Sequence, residues 1–226
     1  MHGYGGESMM TAPRIFPLGD QALVCELPPP ATLAYQKRVW HVARMARDWP
    51  HVLDVVPGMN NVTLVFDPIH ADPDGLAIQL RGAWARAPAE ETACRVVEIP
   101  VRYGGEAGPD LESVARHTGY SPREVVERHA AGEYVVFFLG FQPGFAYMGG
   151  LDASLATPRR HEPRFAVPAG SVGIGGEQTG IYPATSPGGW QLIGRSDMVL
   201  FDPARTPSTA LLPGDKVRFI IAEVLA

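Results

Sequence analysis

Nine polar or aromatic side chains crowd into one Gly- and Pro-rich stretch that ends at Arg195. Arg159, Arg160 and Arg164 come first, Gln178, Thr179 and Tyr182 follow a run of glycines, and Trp190, Gln191 and Arg195 close the stretch. An arginine fork holds a carboxylate or phosphate through two parallel hydrogen bonds. A glutamine amide can orient another amide. Turns on a rigid scaffold are where binding groups tend to stand. The candidate substrate-binding residues are therefore Arg159, Arg164, Gln178, Thr179, Tyr182, Trp190, Gln191 and Arg195. Trp190 is read equally well as core. Phe141, Pro143 and Phe145, where an apolar strand breaks into a tight turn, are candidates for a pocket lining or a partner surface.

Known phosphate loops do not fit the glycine run Gly170–Gln178. A Walker loop counted from Gly170 reaches Gly176 where it needs lysine. A dinucleotide fingerprint started at Gly173 lands on Gln178 where it needs glycine, and no helix follows. Two readings remain. The glycines supply positive φ angles at barrel bends, and, compatibly with that, their exposed N–H groups form an anion nest. No Gly-x-Ser-x-Gly elbow is present. Cys25 lies in an apolar strand as an inert thiol, and His161 reads as a solvated loop residue. Catalytic residues stay unassigned. Cys25 and Cys94 lack neighbouring ligands at zinc spacing, so no metal site and no disulfide framework is expected.

The elements that must position these residues fall into two textures. Gln21–Leu27, His51–Val56, Asn61–Phe66 and Arg95–Val101 read as strands, and Thr32–Asp48 and a segment capped by Asp72 or Asp74 read as helices. This β-α-β-β-α-β order suits helices on one face of an antiparallel sheet. Two connecting helices follow, Asp110–Thr118 and one opened by the capping box Ser121-Pro-Arg-Glu124. They mimic a helix-turn-helix, but Arg123, Glu124, Glu127 and Arg128 cancel in charge, unlike a DNA-reading helix. From Tyr134 short strands alternate with turns: Tyr134–Phe141, Phe165–Val167, Ser171–Ile174, Trp190–Ile193, Met198–Phe201 and Lys216–Ile221. That pattern predicts a barrel or sandwich. The expected division is an α+β domain at 12–102, then connecting helices and a mainly-β domain at 103–226.

The chain has 226 residues, 46% of them hydrophobic, and a formal charge of −5. That is enough for a stable core. The charge and the lack of Lys/Arg runs argue against a nucleic-acid partner. No apolar run spans a bilayer, and Met1–Thr11 reads as a disordered tail rather than a signal peptide. A cytoplasmic location and no membrane partner are expected.

Taken together, several segments resemble the 5-oxoprolinase B-subunit family, which includes the sporulation-kinase inhibitor and is often labelled allophanate hydrolase subunit 1. They are Gly140-Phe-Gln-Pro-Gly-Phe145, Ala156-Thr-Pro-Arg159, Pro163-Arg164 and Val167-Pro-Ala-Gly-Ser-Val-Gly-Ile-Gly-Gly176. Gln178-Thr-Gly-Ile-Tyr-Pro183 and Ser186-Pro-Gly-Gly-Trp-Gln-Leu-Ile-Gly-Arg195 continue the match. Phe201-Asp-Pro203, Pro213-Gly-Asp215, Pro57-Gly-Met-Asn60 and Tyr103-Gly-Gly105 fit as well. The chain departs at Ala146 and Met148, where the family usually carries Pro and Leu.

The resemblance implies an α+β N-terminal domain followed by a mainly-β cyclophilin-like barrel. It implies a subunit of an ATP-hydrolysing amide hydrolase that opens 5-oxo-L-proline to L-glutamate with release of ADP and phosphate. The 5-oxoprolinase subunits A and C are the implied partners, and ATP with Mg the implied co-substrate. The chain carries no standard ATP motif of its own, so a site shared with the C subunit is expected. The resemblance also leaves open a protein inhibitor of a sensor histidine kinase. A carboxyltransferase-like role, known from related domains, lacks the Met-Lys-Met biotinylation signal here.

Overall fold

The structure, a computed structural model, describes residues 12–87 and 95–225. The tail Met1–Thr11 and Cys94 lie outside the described residues. Two compact units part between residues 90 and 91.

The first unit runs β1 (Arg14–Pro17), β2 (Ala22–Glu26), α1 (Leu33–Ala46), β3 (Val52–Pro57), β4 (Asn61–Phe66) and α2 (Pro73–Arg86). Its strands form one antiparallel sheet in the order β1-β2-β4-β3. Alternation in β4 turns Val62, Leu64 and Phe66 to one face, where Leu23 and Cys25 of β2 join them. Val39 and Val42 of α1 and Leu76, Leu80 and Trp84 of α2 cover that face. Thr32 caps α1 by accepting from the Tyr35 N–H at 3.2 Å, and Asp72 caps α2 ahead of Pro73. Burial pushes the Cys25 thiol up to about 12, which makes it the inert group that its strand position implied.

The second unit runs β5 (Val96–Gly104), α3 (Leu111–Thr118), α4 (Pro122–Ala131), β6 (Tyr134–Leu139), β7 (Ala146–Gly149), β8 (Arg164–Val167), β9 (Ser171–Gly175), β10 (Gln178–Ile181), β11 (Ser186–Gly188), β12 (Gln191–Arg195) and β13 (Lys216–Leu225). Seven strands close a barrel in the order β10-β7-β6-β13-β5-β12-β9, and β9 returns to β10. β5 and β13 run parallel and the other barrel pairs antiparallel. β8 and β11 form a separate two-stranded sheet. The barrel core, with Ile99, Val101, Val136, Ile174 and Phe219, continues into α3 and α4 through Leu111, Val114, Val125 and Val126. The capping box of α4 is formed: the Ser121 N–H donates to Glu124 at 2.8 Å and the Glu124 N–H to Ser121 at 3.2 Å.

The structure departs from the sequence reading in several places: it adds the strands β1, β7, β10 and β11, and it places two predicted strands differently. β5 is a barrel strand, not the last strand of the first unit, because its ladder partner β13 comes from the far end of the chain. An expected boundary at 102/103 would cut this strand. Met198–Phe201 makes no strand, only an isolated bridge from Phe201 to Thr209. Among the described residues no helix is long and apolar enough to cross a membrane.

Candidate functional site

Trp190, just ahead of β12, organises the outer face of the barrel. It is buried with Phe145, Val167, Tyr182 and Leu192 in a second apolar cluster. Phe145 meets Tyr147, Tyr182 and Trp190 edge to face at centroid distances of 4.9, 5.3 and 5.6 Å. Such geometry sets the ring edge against the electron-rich face. Phe141 extends the cluster outward, 5.5 Å from Phe145 and 61% exposed, and Pro143 close by is exposed as well.

The glycines make room for this indole. A Cβ on Gly173 or Gly180 would stand 3.2 or 3.0 Å from Trp190. Neither has a positive φ; among the glycines of the run, positive φ falls at Gly170 and Gly176, at the strand ends. The anion-nest reading is therefore not supported. β9 is laddered on both edges, to β10 and β12. The Gly170 N–H donates to Tyr182 O at 2.7 Å and the Gly176 N–H to Thr157 O at 2.8 Å.

The arginines divide sharply. Arg164 donates from Nη1 and Nη2 to the two oxygens of Asp110, 2.8 Å each, and Arg160 donates from Nη1 at 3.0 Å. Asp110 is buried and pairs with both cations. Arg159 is exposed and lies over the Trp190 ring, 5.9 Å from its centroid, with no carboxylate partner among the described residues. Burial holds the Tyr147 and Tyr182 phenols above their ordinary range, against a downward pull from the Arg159 charge.

The structure thus brings Arg159, Tyr182, Trp190, Phe145 and Phe141 together. Gln191, half-buried, donates from Nε2 to Pro158 O at 3.0 Å and so holds the loop that carries Arg159. Beside it Ser113, Arg160, His161, Glu162 and Gln191 line an open groove of about 370 Å³. Arg195 stands on β12, its Nε donating to Ala169 O at 3.0 Å, and Gln178 opens β10 half-buried. Thr179 is elsewhere altogether. It faces the barrel core, donates to Gly173 O at 3.0 Å and accepts from His129 Nε2 at 2.9 Å.

Sequence reading misses Asp110 and Tyr147. Asp110 carries a signal, an acidic residue at a helix start in a chain whose downstream loop holds three arginines. Tyr147 follows Phe145 by two residues, so both side chains leave the strand on one side. Among the described residues no group of His, Cys, Asp and Glu is placed to hold a metal ion.

A family model described as the carboxyltransferase domain, subdomain C and D, matches residues 13–211. The chain is 53% identical over 215 residues to the 5-oxoprolinase B subunit of Escherichia coli O157:H7, covering 93% of this chain and 97% of that protein. It is 47% identical over 207 residues to the 5-oxoprolinase B subunit of Haemophilus influenzae, covering 92% and 97%. The crystal structure of TTHA0988 superposes with a TM-score of 0.79 at 38% identity, covering 90% of this chain. The chain spans only 40% of that longer one.

Proposed function

The chain belongs to the 5-oxoprolinase B-subunit family, and on that premise we propose that it works with subunits A and C to open 5-oxo-L-proline to L-glutamate at the expense of ATP. A lactam carbonyl is a poor electrophile. Phosphorylation of its oxygen creates a leaving group and a more electrophilic carbon, and phosphoryl transfer requires cations around the moving charge.

The observation that carries this reading is Arg159. Among the described residues it is the arginine of its loop without a carboxylate partner, and it stands on an aromatic face beside Tyr147. A guanidinium so placed is suited to the carboxylate of 5-oxoproline or to a phosphoryl oxygen. Tyr147, half-buried, offers a hydroxyl beside it. The glycine segment does not fit a phosphate cradle, since its N–H groups are committed to strand pairing, and among the described residues no group of three or more His, Cys, Asp and Glu is gathered. ATP and Mg²⁺ are accordingly assigned to the assembled enzyme, with the nucleotide held largely by the partner subunits. The exposed Phe141, with Pro143 beside it, supplies apolar surface for such a partner at the rim of the same face.

The test is reconstitution. Purified chain mixed with subunits A and C should release glutamate in an ATP-dependent manner. Undiminished activity from A and C alone overturns the proposal.

A further inference from the structure

Asp110 receives donors from three directions while being only 3% exposed. The Leu192 N–H donates to Oδ2 at 2.7 Å, Arg164 grips both oxygens and Arg160 holds Oδ1. The Asp110 N–H donates in turn to Leu192 O at 2.8 Å. The residue directly precedes α3, where an aspartate would ordinarily cap the helix, yet its side chain makes no cap hydrogen bond. Its carboxylate serves the 158–164 loop instead.

That loop has two more anchors, one just ahead of β12 and one at its first residue. The Arg160 N–H donates to Gly189 O at 2.7 Å, and Gln191 holds Pro158 O. Arg159 lies between the held residues, with its guanidinium over Trp190. We infer that Asp110 is a positioning residue: through Arg160 and Arg164 its carboxylate aims Arg159 at the aromatic face, without touching substrate. The inference rests on the reading that Arg159 meets an anionic group in the assembled enzyme.

Two variants of the full chain test it, Asp110→Asn and the paired apolar replacement Asp110→Leu with Arg164→Met. Amide hydrogen exchange reports the loop, and kinetics with subunits A and C report the consequence. In Asp110→Asn, exchange across 157–165 should quicken about tenfold while β5 and β13 keep their protection. KM for 5-oxoproline should rise about tenfold with kcat nearly unchanged. The paired replacement should recover the melting temperature without recovering KM, because Arg160 still lacks its acceptor.

Wild-type exchange across 157–165 in Asp110→Asn overturns the inference. So does a loss confined to kcat that follows the folded fraction, which a merely structural carboxylate would give. If wild-type chain with A and C shows no activity, the functional reading falls while the exchange comparison still decides how Asp110 acts on the loop.

Discussion

Trp190 lies so close over Gly175 that a methyl group on Gly175 would stand 2.5 Å from the indole Nε1. Gly175 itself is an ordinary strand residue without positive φ. Its small size, not its backbone freedom, is what the fold requires. Gly175→Ala should therefore overpack the face and lower stability by about 1–3 kcal/mol. The cause is separable. In a Trp190→Phe background the same substitution should cost less than about 1 kcal/mol, read by denaturant unfolding of single and double variants. An equal cost in both backgrounds would place the constraint elsewhere.

Arg164 makes a different kind of contact and should respond differently. Removing it leaves Asp110 buried with only Arg160 and the Leu192 N–H. A buried carboxylate that loses its two-pronged partner is only partly compensated, and that is expensive. Arg164→Ala should lower stability by about 2–4 kcal/mol, measured by chemical denaturation. A variant as stable as wild type would show that Arg160 alone satisfies the carboxylate. A substrate-binding arginine on an open loop would show no such loss, so this measurement also separates a structural from a substrate-binding role for Arg164.

What the sequence discloses and what it withholds follow from the range of the forces involved. Thr32, Asp72 and the Ser121–Glu124 box act within three residues, and each is legible as a local pattern. The apolar stripes of α1 and α2 are equally local. The place of β5 is not legible, because its ladder partner lies at the other end of the chain. Asp110 is hidden for the same reason: its arginines stand 50 and 54 residues downstream. Thr179 reads as a surface group because β10 is rich in polar and glycine residues, yet Gly180 in fact accommodates Trp190. Trp190 reads as core or site with equal ease, and it is the buried centre of the aromatic face.

His129 gives a pH dependence whose direction can be worked out. Thr179 donates its hydroxyl hydrogen to Gly173 O, so it accepts from His129 Nε2, and Nδ1 then accepts from the Tyr103 hydroxyl at 2.8 Å. Tyr134 and Phe219 enclose the ring, and full burial holds its pKa down to about 3. The unfolded chain takes up a proton below about pH 6.5 and the folded chain does not. Stability contributed by neutral His129 is thus complete above about pH 6.5 and is lost as pH falls toward 3, at about 1.4 kcal/mol per pH unit. His129→Gln can keep both hydrogen bonds without titrating. Between about pH 7 and pH 5 the wild type should lose about 2 kcal/mol more than this variant. Parallel pH profiles would show that His129 is not the titrating group.

Arg159 is where stability and activity should come apart. Its side chain is exposed and lies over the Trp190 ring, 5.9 Å from the centroid. An exposed cation over a ring contributes at most about 1 kcal/mol, so Arg159→Ala should melt within a few degrees of wild type. A charged hydrogen bond to substrate is worth more, about 1.5–3 kcal/mol. The same variant, assembled with subunits A and C, should therefore lose about 10- to 100-fold in kcat/KM for 5-oxoproline. Arg159→Lys keeps the charge but not the planar fork, and should fall between the two. Wild-type kinetics for Arg159→Ala would remove it from the site and, with it, the main support for placing substrate on the Trp190 face.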